Sequence, residues 1–420
     1  MRFEIKKLLF SKLFIVCFAV LMAVLAGITI NAAGERVTLD GPYRKLLEAV
    51  KAAEGTEEEK LDDLLRKKEW LEATVLKDHA SAVGTAGAFG VTLFDDLILY
   101  SRAYDDLRRY LSEFKNNRTR IVIDALEALE DEKQKSDPEG RIIKKNELVI
   151  DKYNRVIDLQ PADPGKLDRV LDNYDVGAWQ VTFVLFIVTL SVRMFTMDNS
   201  SGEYKVLNSS VLRKKALFFR RYLAVMTAGI IVWLLVCVFQ GLMASVLFKV
   251  DDMSLPIQMT VCFEFCPFIL SVGGFCLIRF LCGSLVIMSV SALTAFLCIV
   301  LQKTSISLAT SAVLTLAPCV FLDLLRRKAE VSASNVLSGE YKMYELFRSL
   351  LPPGLLNVRT YFQGFDYTNV FEIFIPRIVC CVAVTATITV IFLVAAAAFF
   401  SGHIRKRESG VKGAKDEIKV

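Results

Sequence analysis

The sequence predicts an all-α integral membrane protein with six transmembrane helices and a large helical extracellular domain between the first and second. Three observations predict it. Apolar segments of about 20 residues recur along the chain, each long enough to cross a hydrocarbon core about 30 Å thick. A polar stretch of about 145 residues separates the first, Leu13–Ile30, from the second, Val176–Phe195, and four more candidates follow. Hydrophobic residues make up 54% of the 420 and mean hydropathy is +0.43, too apolar for an ordinary soluble chain of that length.

Orientation follows from where the basic residues sit rather than from the net charge of +5. Arg2, Lys6, Lys7 and Lys12 precede the first segment. Arg193, Lys205, Arg213, Lys214, Lys215, Arg220 and Arg221 surround the loop after the second, and Arg405, Lys406 and Arg407 follow the last. Positive residues favour the cytoplasmic side, which places all three clusters there and requires an even number of spans. Arg326, Arg327 and Lys328 run against this pattern. The expected layout is an amphipathic segment and first span over 1–30 and an extracellular helical domain over 31–175. A five-span membrane domain over 176–400 and a cytoplasmic tail over 401–420 complete it. Both termini are then cytoplasmic, in a multi-pass protein of a bacterial cell membrane. A cleaved signal peptide is the alternative for the first segment, given its basic start and small Ala32 and Ala33, but the apolar run is longer than a usual signal core.

All ten cysteines fall in apolar segments or the apolar stretch that holds Cys262 and Cys266, and none in the polar domain. That domain is therefore no disulfide scaffold and must be held by its own core. It reads as helices. Thr56 and Glu59 form a capping-box pair before a stripe of Leu61, Leu64, Leu65, Leu71 and Val75. A second stripe runs through Leu97, Tyr100, Tyr104, Leu107, Leu111 and Phe114. Ile121, Leu126 and Leu129 suggest a third helix, ended by Ser136–Gly140, and Ile143, Leu148, Tyr153 and Ile157 a fourth. An antiparallel helical bundle is expected. Ala80–Phe94, with Gly84, Gly87 and Gly90, reads as a close-packed turn or a membrane-dipping hairpin, and Asn117-Arg118-Thr119 is a glycosylation sequon in form.

The loop after the second segment, 196–221, carries the most informative pattern: Asp198, Gly202 four residues later, the apolar pair Val206 and Leu207, a small polar run and Arg213. It resembles the coupling helix of ABC-2 type transporter permeases, with Ser210 where the family pattern has proline. The resemblance extends to the architecture: a basic amphipathic start over Met1–Lys12, an extracellular insertion after the first span, and short elements from Ile257. Spans near Gly274–Leu301, Ile306–Leu325 and Phe374–Phe400 follow. It implies a permease subunit that works with a separate ABC ATPase subunit and a second permease chain, with ATP and magnesium held on the ATPase. In that role Glu203 and Arg213 offer charge-assisted contacts, and Tyr204 and Leu207 apolar knobs. The plain alternative is a solvated basic loop on anionic lipid headgroups. Ser201–Lys205 recurs as Ser338–Lys342 with unlike flanks, which does not amount to a duplicated unit.

Chemistry of the chain's own is not expected. His79 and His403 are its only histidines, and no glycine-rich loop ending in Lys-Ser or Lys-Thr is present to cradle phosphates. The expectation is no enzyme, no cofactor or metal in this chain, and no nucleic-acid partner. Glu264, Arg279 and Asp323 are the charges near the spans. They read as snorkelling or locally paired residues, or as outer-gate charges. Export of a hydrophobic or amphipathic substrate is the expected function. The alternative is a membrane sensor or envelope assembly factor that uses the helical domain for ligand or partner binding.

Overall fold

The structure, a computed structural model, describes residues 11–34, 46, 49–50, 57–81, 89–108, 114–135, 139–157, 177–201, 214–248, 253–260, 263–331, 343, 346–347, 351–370 and 373–417. An apolar helix, α1 Lys12–Gly34, is followed by four polar ones: α2 Glu57–Ser81, α3 Phe89–Arg108, α4 Phe114–Gln134 and α5 Gly140–Ile157. Apolar helices return with α6 Gly177–Ser201, α7 Lys214–Phe248, α8 Val272–Leu301, α9 Thr304–Val331 and α10 Arg377–Glu417. Among the described residues, four stretches are long and apolar enough to cross a membrane: Ala216–Met243, Val272–Leu301, Thr304–Leu322 and Arg377–Phe400. Lys12–Gly27 and Gln180–Thr196 are shorter apolar stretches. The chain is thus mostly helical, with the composition of a membrane protein.

Helix α8 is the axis of the bundle. It touches α6, α7, α9 and α10, and residues on every side of it are buried, among them Phe275, Cys282, Val286, Ala292 and Ile299. A helix apolar all round suits that central place. The Ser271 hydroxyl caps its start by accepting from the Gly274 N–H at 3.1 Å. Its close approach to α7 depends on one missing side chain. The Trp233 indole lies against Gly283, where an added Cβ would fall 2.5 Å from the ring, and the indole N–H donates to the Phe280 carbonyl at 3.0 Å. Small residues let membrane helices pack backbone to ring in this way.

Ring contacts show which helix ends lie together. Phe195 near the end of α6, Phe218 near the start of α7 and Phe400 in α10 stack in sequence, at 5.7 and 5.8 Å between centroids. Phe296 near the end of α8 meets Phe399 at 5.7 Å. At the opposite end Phe275 of α8 meets Phe362 at 5.9 Å, and Phe321 of α9 meets Phe347 at 5.1 Å. Successive helices from α6 to α10 therefore alternate in direction.

The polar helices form two hairpins rather than one described core. Leu64, Ala103 and Tyr104 pack α2 on α3; Val122, Ala125, Val149 and Tyr153 pack α4 on α5. Glu132 fixes the α4–α5 turn: its carboxylate accepts from the Glu139 N–H at 2.9 Å and pairs with Lys135 at 2.5 Å. Leu64, Leu71 and Tyr104 are buried as their stripes predict. Phe114 opens α4 and does not continue the α3 stripe. The buried face of α5 runs through Asn146, Val149, Tyr153 and Val156, not through Ile143 and Leu148. Thr56 and Gly84 lie outside the described residues.

Three further departures come from local chemistry. The last span is expected from Phe374, but Phe374 and Ile375 lie in strand β2, Ile373–Pro376, antiparallel to β1, Tyr367–Val370. The all-α expectation thus meets one small hairpin. Helix α10 starts only after Pro376, whose missing N–H is tolerated there. Arg377 holds the hairpin to it, its Nε 3.1 Å from Asp366 Oδ1 with both side chains largely buried. The expected loop 196–221 is shorter than its sequence bounds: α6 continues to Ser201 and α7 begins at Lys214. The expected tail is helical through Glu417.

Candidate functional site

The α4–α5 hairpin is fastened to the apolar bundle at the connection between α7 and α8. Residues 253–270 of that connection fold on themselves: Ile257 N–H donates to Leu270 O at 2.9 Å, Thr260 N–H to Ile257 O at 3.0 Å, and Cys266 N–H to Phe263 O at 2.9 Å. Gln258, fully buried, bridges the segment by donating its Nε2 to the Phe268 carbonyl. An irregular segment leaves carbonyls without ladder partners, and buried carbonyls require donors.

Arg118 supplies them. It is 2% exposed, and its guanidinium donates from Nε to Glu264 O at 3.2 Å, from Nη1 to Val156 O at 3.2 Å and from Nη2 to Gln258 O at 2.8 Å. The Val156 carbonyl belongs to the last turn of α5, where carbonyls lack helical partners and cations are favoured. One side chain therefore closes α5 and ties the hairpin to the connection. Asn117 Nδ2 donates to Glu264 Oε1 at 2.6 Å, and the Tyr153 hydroxyl to Phe265 O at 2.7 Å. Burial draws the Arg118 pKa down while Glu264 opposes that shift; an arginine in this setting stays charged. Burial raises the Tyr153 hydroxyl pKa and pushes the Cys266 thiol up to about 12. Around these groups Phe263 meets Phe275 at 5.0 Å, and Phe268 meets Phe362 at 5.7 Å and Tyr367 at 5.8 Å. Among the described residues, these contacts join the polar hairpin to the connection between α7 and α8.

Of the charges singled out in the sequence, Glu264 belongs to this junction. Arg279 lies in the second turn of α8, 5% exposed, with Nη1 2.9 Å from Gln240 Oε1 and its guanidinium carbon 5.4 Å from the Trp233 ring centre. It is locally engaged inside the bundle and does not snorkel. Asp323 is on α9, with its side chain outside the description. Asp198 is in the closing turns of α6. Gly202, Glu203, Tyr204, Leu207 and Arg213 lie outside the described residues. Among the described residues no group of three or more His, Cys, Asp or Glu is placed to hold a metal ion.

Asn117, Arg118 and Tyr153 are the functional candidates that sequence reasoning missed. A signal for Arg118 was present: residues 118, 122, 125 and 129 follow one helix face, and Val122, Ala125 and Leu129 on it are buried. An arginine on an apolar stripe requires acceptors. No protein-family model, curated protein or solved structure matches the chain.

Proposed function

We propose that the chain is the permease subunit of an ABC-2-like exporter of the cell membrane, with six spans and the polar helices outside. ATP and magnesium act on a separate ATPase subunit, and a second permease chain completes the pathway. The observation that carries this reading is the alternation of the apolar helices about α8. It leaves the α6–α7 connection at the bundle end opposite the fastened polar hairpin. The Asp198–Arg213 pattern begins in the closing turns of α6 and runs up to the start of α7 at Lys214. A soluble motor that moved this connection would push on α6 and α7 together, and through Trp233 and Gly283 on α8. Differential affinity of the motor for two arrangements would then shift the bundle between them.

A second reading has its own support. The Arg118 tie is what a sensor would need to pass ligand binding on the polar helices to the bundle. Purification from native membranes separates the two. The exporter reading expects an ATPase to copurify with the chain, and Glu130→Cys and Ser209→Cys to be labelled from opposite faces of intact cells. No ATPase partner, or labelling of both positions from one face, rejects it.

A further inference from the structure

Helix α9 is built inside out. The face it turns away from the protein is apolar, with Val313 63%, Val320 53% and Leu324 54% exposed. Ser307, Ser311 and Thr315, spaced four residues apart, are 0, 0 and 4% exposed. Helix α9 packs against both α6 and α8, and α8 carries hydroxyls of the same kind: Ser291 and Thr294 are both fully buried. The two helices form a hairpin through Gln302 and Lys303, with Gln302 in the left-handed region at φ 57°. Ser307 lies beside the Cys298 thiol, which sets the register. Counting one and two turns from that pair along an antiparallel hairpin sets Thr294 level with Ser311 and Ser291 level with Thr315.

These hydroxyls are not all satisfied. Thr315 returns its hydrogen to the Ser311 carbonyl at 2.7 Å, as Ser191 does to Ile187 at 2.8 Å. Ser291, Thr294 and Ser311 make no hydrogen bond, although each has a backbone carbonyl one turn back in its own helix. Ser311, fully buried on the face that α9 turns toward its neighbours, therefore holds its unmet hydroxyl inside the helix interface. An unmet hydroxyl away from water is costly, and a water or a ligand hydroxyl or amide entering the seam would relieve that cost. Apolar packing holds α9 only lightly, since none of its residues is among the fully buried members of the main core and Leu316 joins it half-buried. Its ends are fixed, by the turn at 302–303 and by Leu322 and Leu325 against Phe347 and Leu351. Pro318 stands near the far anchor, and its missing N–H and ring make it the natural place for the helix to bend.

We infer that the seam between α8 and α9 is a closed polar pocket. It opens when α9 bows outward at Pro318, and it then takes water and the uncharged hydroxyl or amide groups of an amphipathic molecule. The α8 and α9 positions named here carry no charged side chain, which favours an uncharged occupant. The substrate half of this inference rests on the transport reading; the opening to water does not.

The test uses the full-length chain in membrane vesicles. Ser311→Cys and Thr294→Cys are each treated with a charged, water-borne methanethiosulfonate, and labelling is read by peptide mass. Val313→Cys on the outward apolar face is the control. A thiol reacts as the thiolate and only where water reaches it, so the seam cysteines should react at least about tenfold faster than the control. Rates no faster than the control at both positions would overturn the inference and leave the seam as dry helix packing. Thr315→Cys, whose neighbours are the same, is read identically if either variant fails to insert. The double variant Thr294→Cys/Ser311→Cys should form a disulfide that abolishes fast labelling at Thr315→Cys, with reduction restoring it; labelling that persists through the disulfide also counts against the pocket. Fast seam labelling in a chain that copurifies with no ATPase would reject the exporter and retain the pocket. Slow labelling in a chain that does copurify with one would do the reverse.

Discussion

Replacing Arg118 with alanine should release the α4–α5 hairpin from the bundle while leaving both folded. The substitution removes three donors to buried carbonyls, those of Val156, Gln258 and Glu264. Hydrogen bonds from a charged donor contribute about 1.5–3 kcal/mol each, and an orphaned buried acceptor costs about 1–3 kcal/mol. The three bonds share one rigid group, so their sum overcounts. The change strands three neutral carbonyls rather than a charge, so the low end of the orphaning cost at each, about 3–5 kcal/mol together, sets the scale. At 1.4 kcal/mol per factor of ten, that corresponds to about two to three and a half powers of ten in the local opening equilibrium. Amide hydrogen exchange reads it directly: the Ile257, Thr260 and Cys266 amides, all donors inside the connection, should lose protection by that factor. Amides around Ala103 in the separate α2–α3 hairpin should not change. Arg118→Lys keeps the charge but loses the fork, and should fall between. Protection in Arg118→Ala within about threefold of the parent would show that the aromatic packing alone holds the junction, and would refute the latch.

The remaining expectations address other links. Burial raises Cys266 from 9.0 to about 12 and Tyr367 from 10.0 to about 12. The folded junction therefore keeps protons that the unfolded chain releases: stability is full below about pH 9 and falls as pH rises toward 12. Cys266 should resist alkylation well above pH 9 and yield only as pH approaches 12; reaction near pH 9 at the rate of a free thiol would contradict this. Gly283→Ala places a Cβ into the Trp233 ring and should cost about 1–3 kcal/mol in thermal unfolding, partly recovered by Trp233→Phe; an unchanged melting temperature would count against that contact. Gly202→Trp and Glu203→Lys should weaken ATPase association or uncouple hydrolysis from export, with Lys415→Ala as the neutral control. Wild-type stimulation in both would leave this loop as a linker.

Helix positions were legible where one face alternates three and four residues apart, as at Leu61, Leu64, Leu71 and Tyr104. They were misread where two faces are apolar. Helix α5 carries Ile143 and Leu148 beside Val149, Tyr153 and Val156, and only packing against α4 selects the second set. Ile373-Phe374-Ile375 has no charge to separate a strand from the helix it precedes, so the boundary was set by Pro376 and the Asp366–Arg377 pair. The junction was hidden for a different reason. Its acceptors are main-chain carbonyls, which no sequence displays, and its donor sat inside a triplet read as a sequon. Asn117 spends its amide on Glu264, so a glycan there would have to break that bond.

The Arg118 contacts also close a ring. From Arg118 to Gln258 the chain spans 140 residues, passing along α4 and α5, through α6, and back along α7 before the guanidinium joins its ends. Two antiparallel apolar helices are thus threaded into a circuit sealed by hydrogen bonds rather than by a covalent link. If α6 tilts or slides against α7, the circumference changes, and the Arg118 joint bears part of the mismatch. The polar hairpin is rooted in sequence beside α6, but it is moored to the neighbouring pair of helices, so it reports differences between them rather than the movement of either alone.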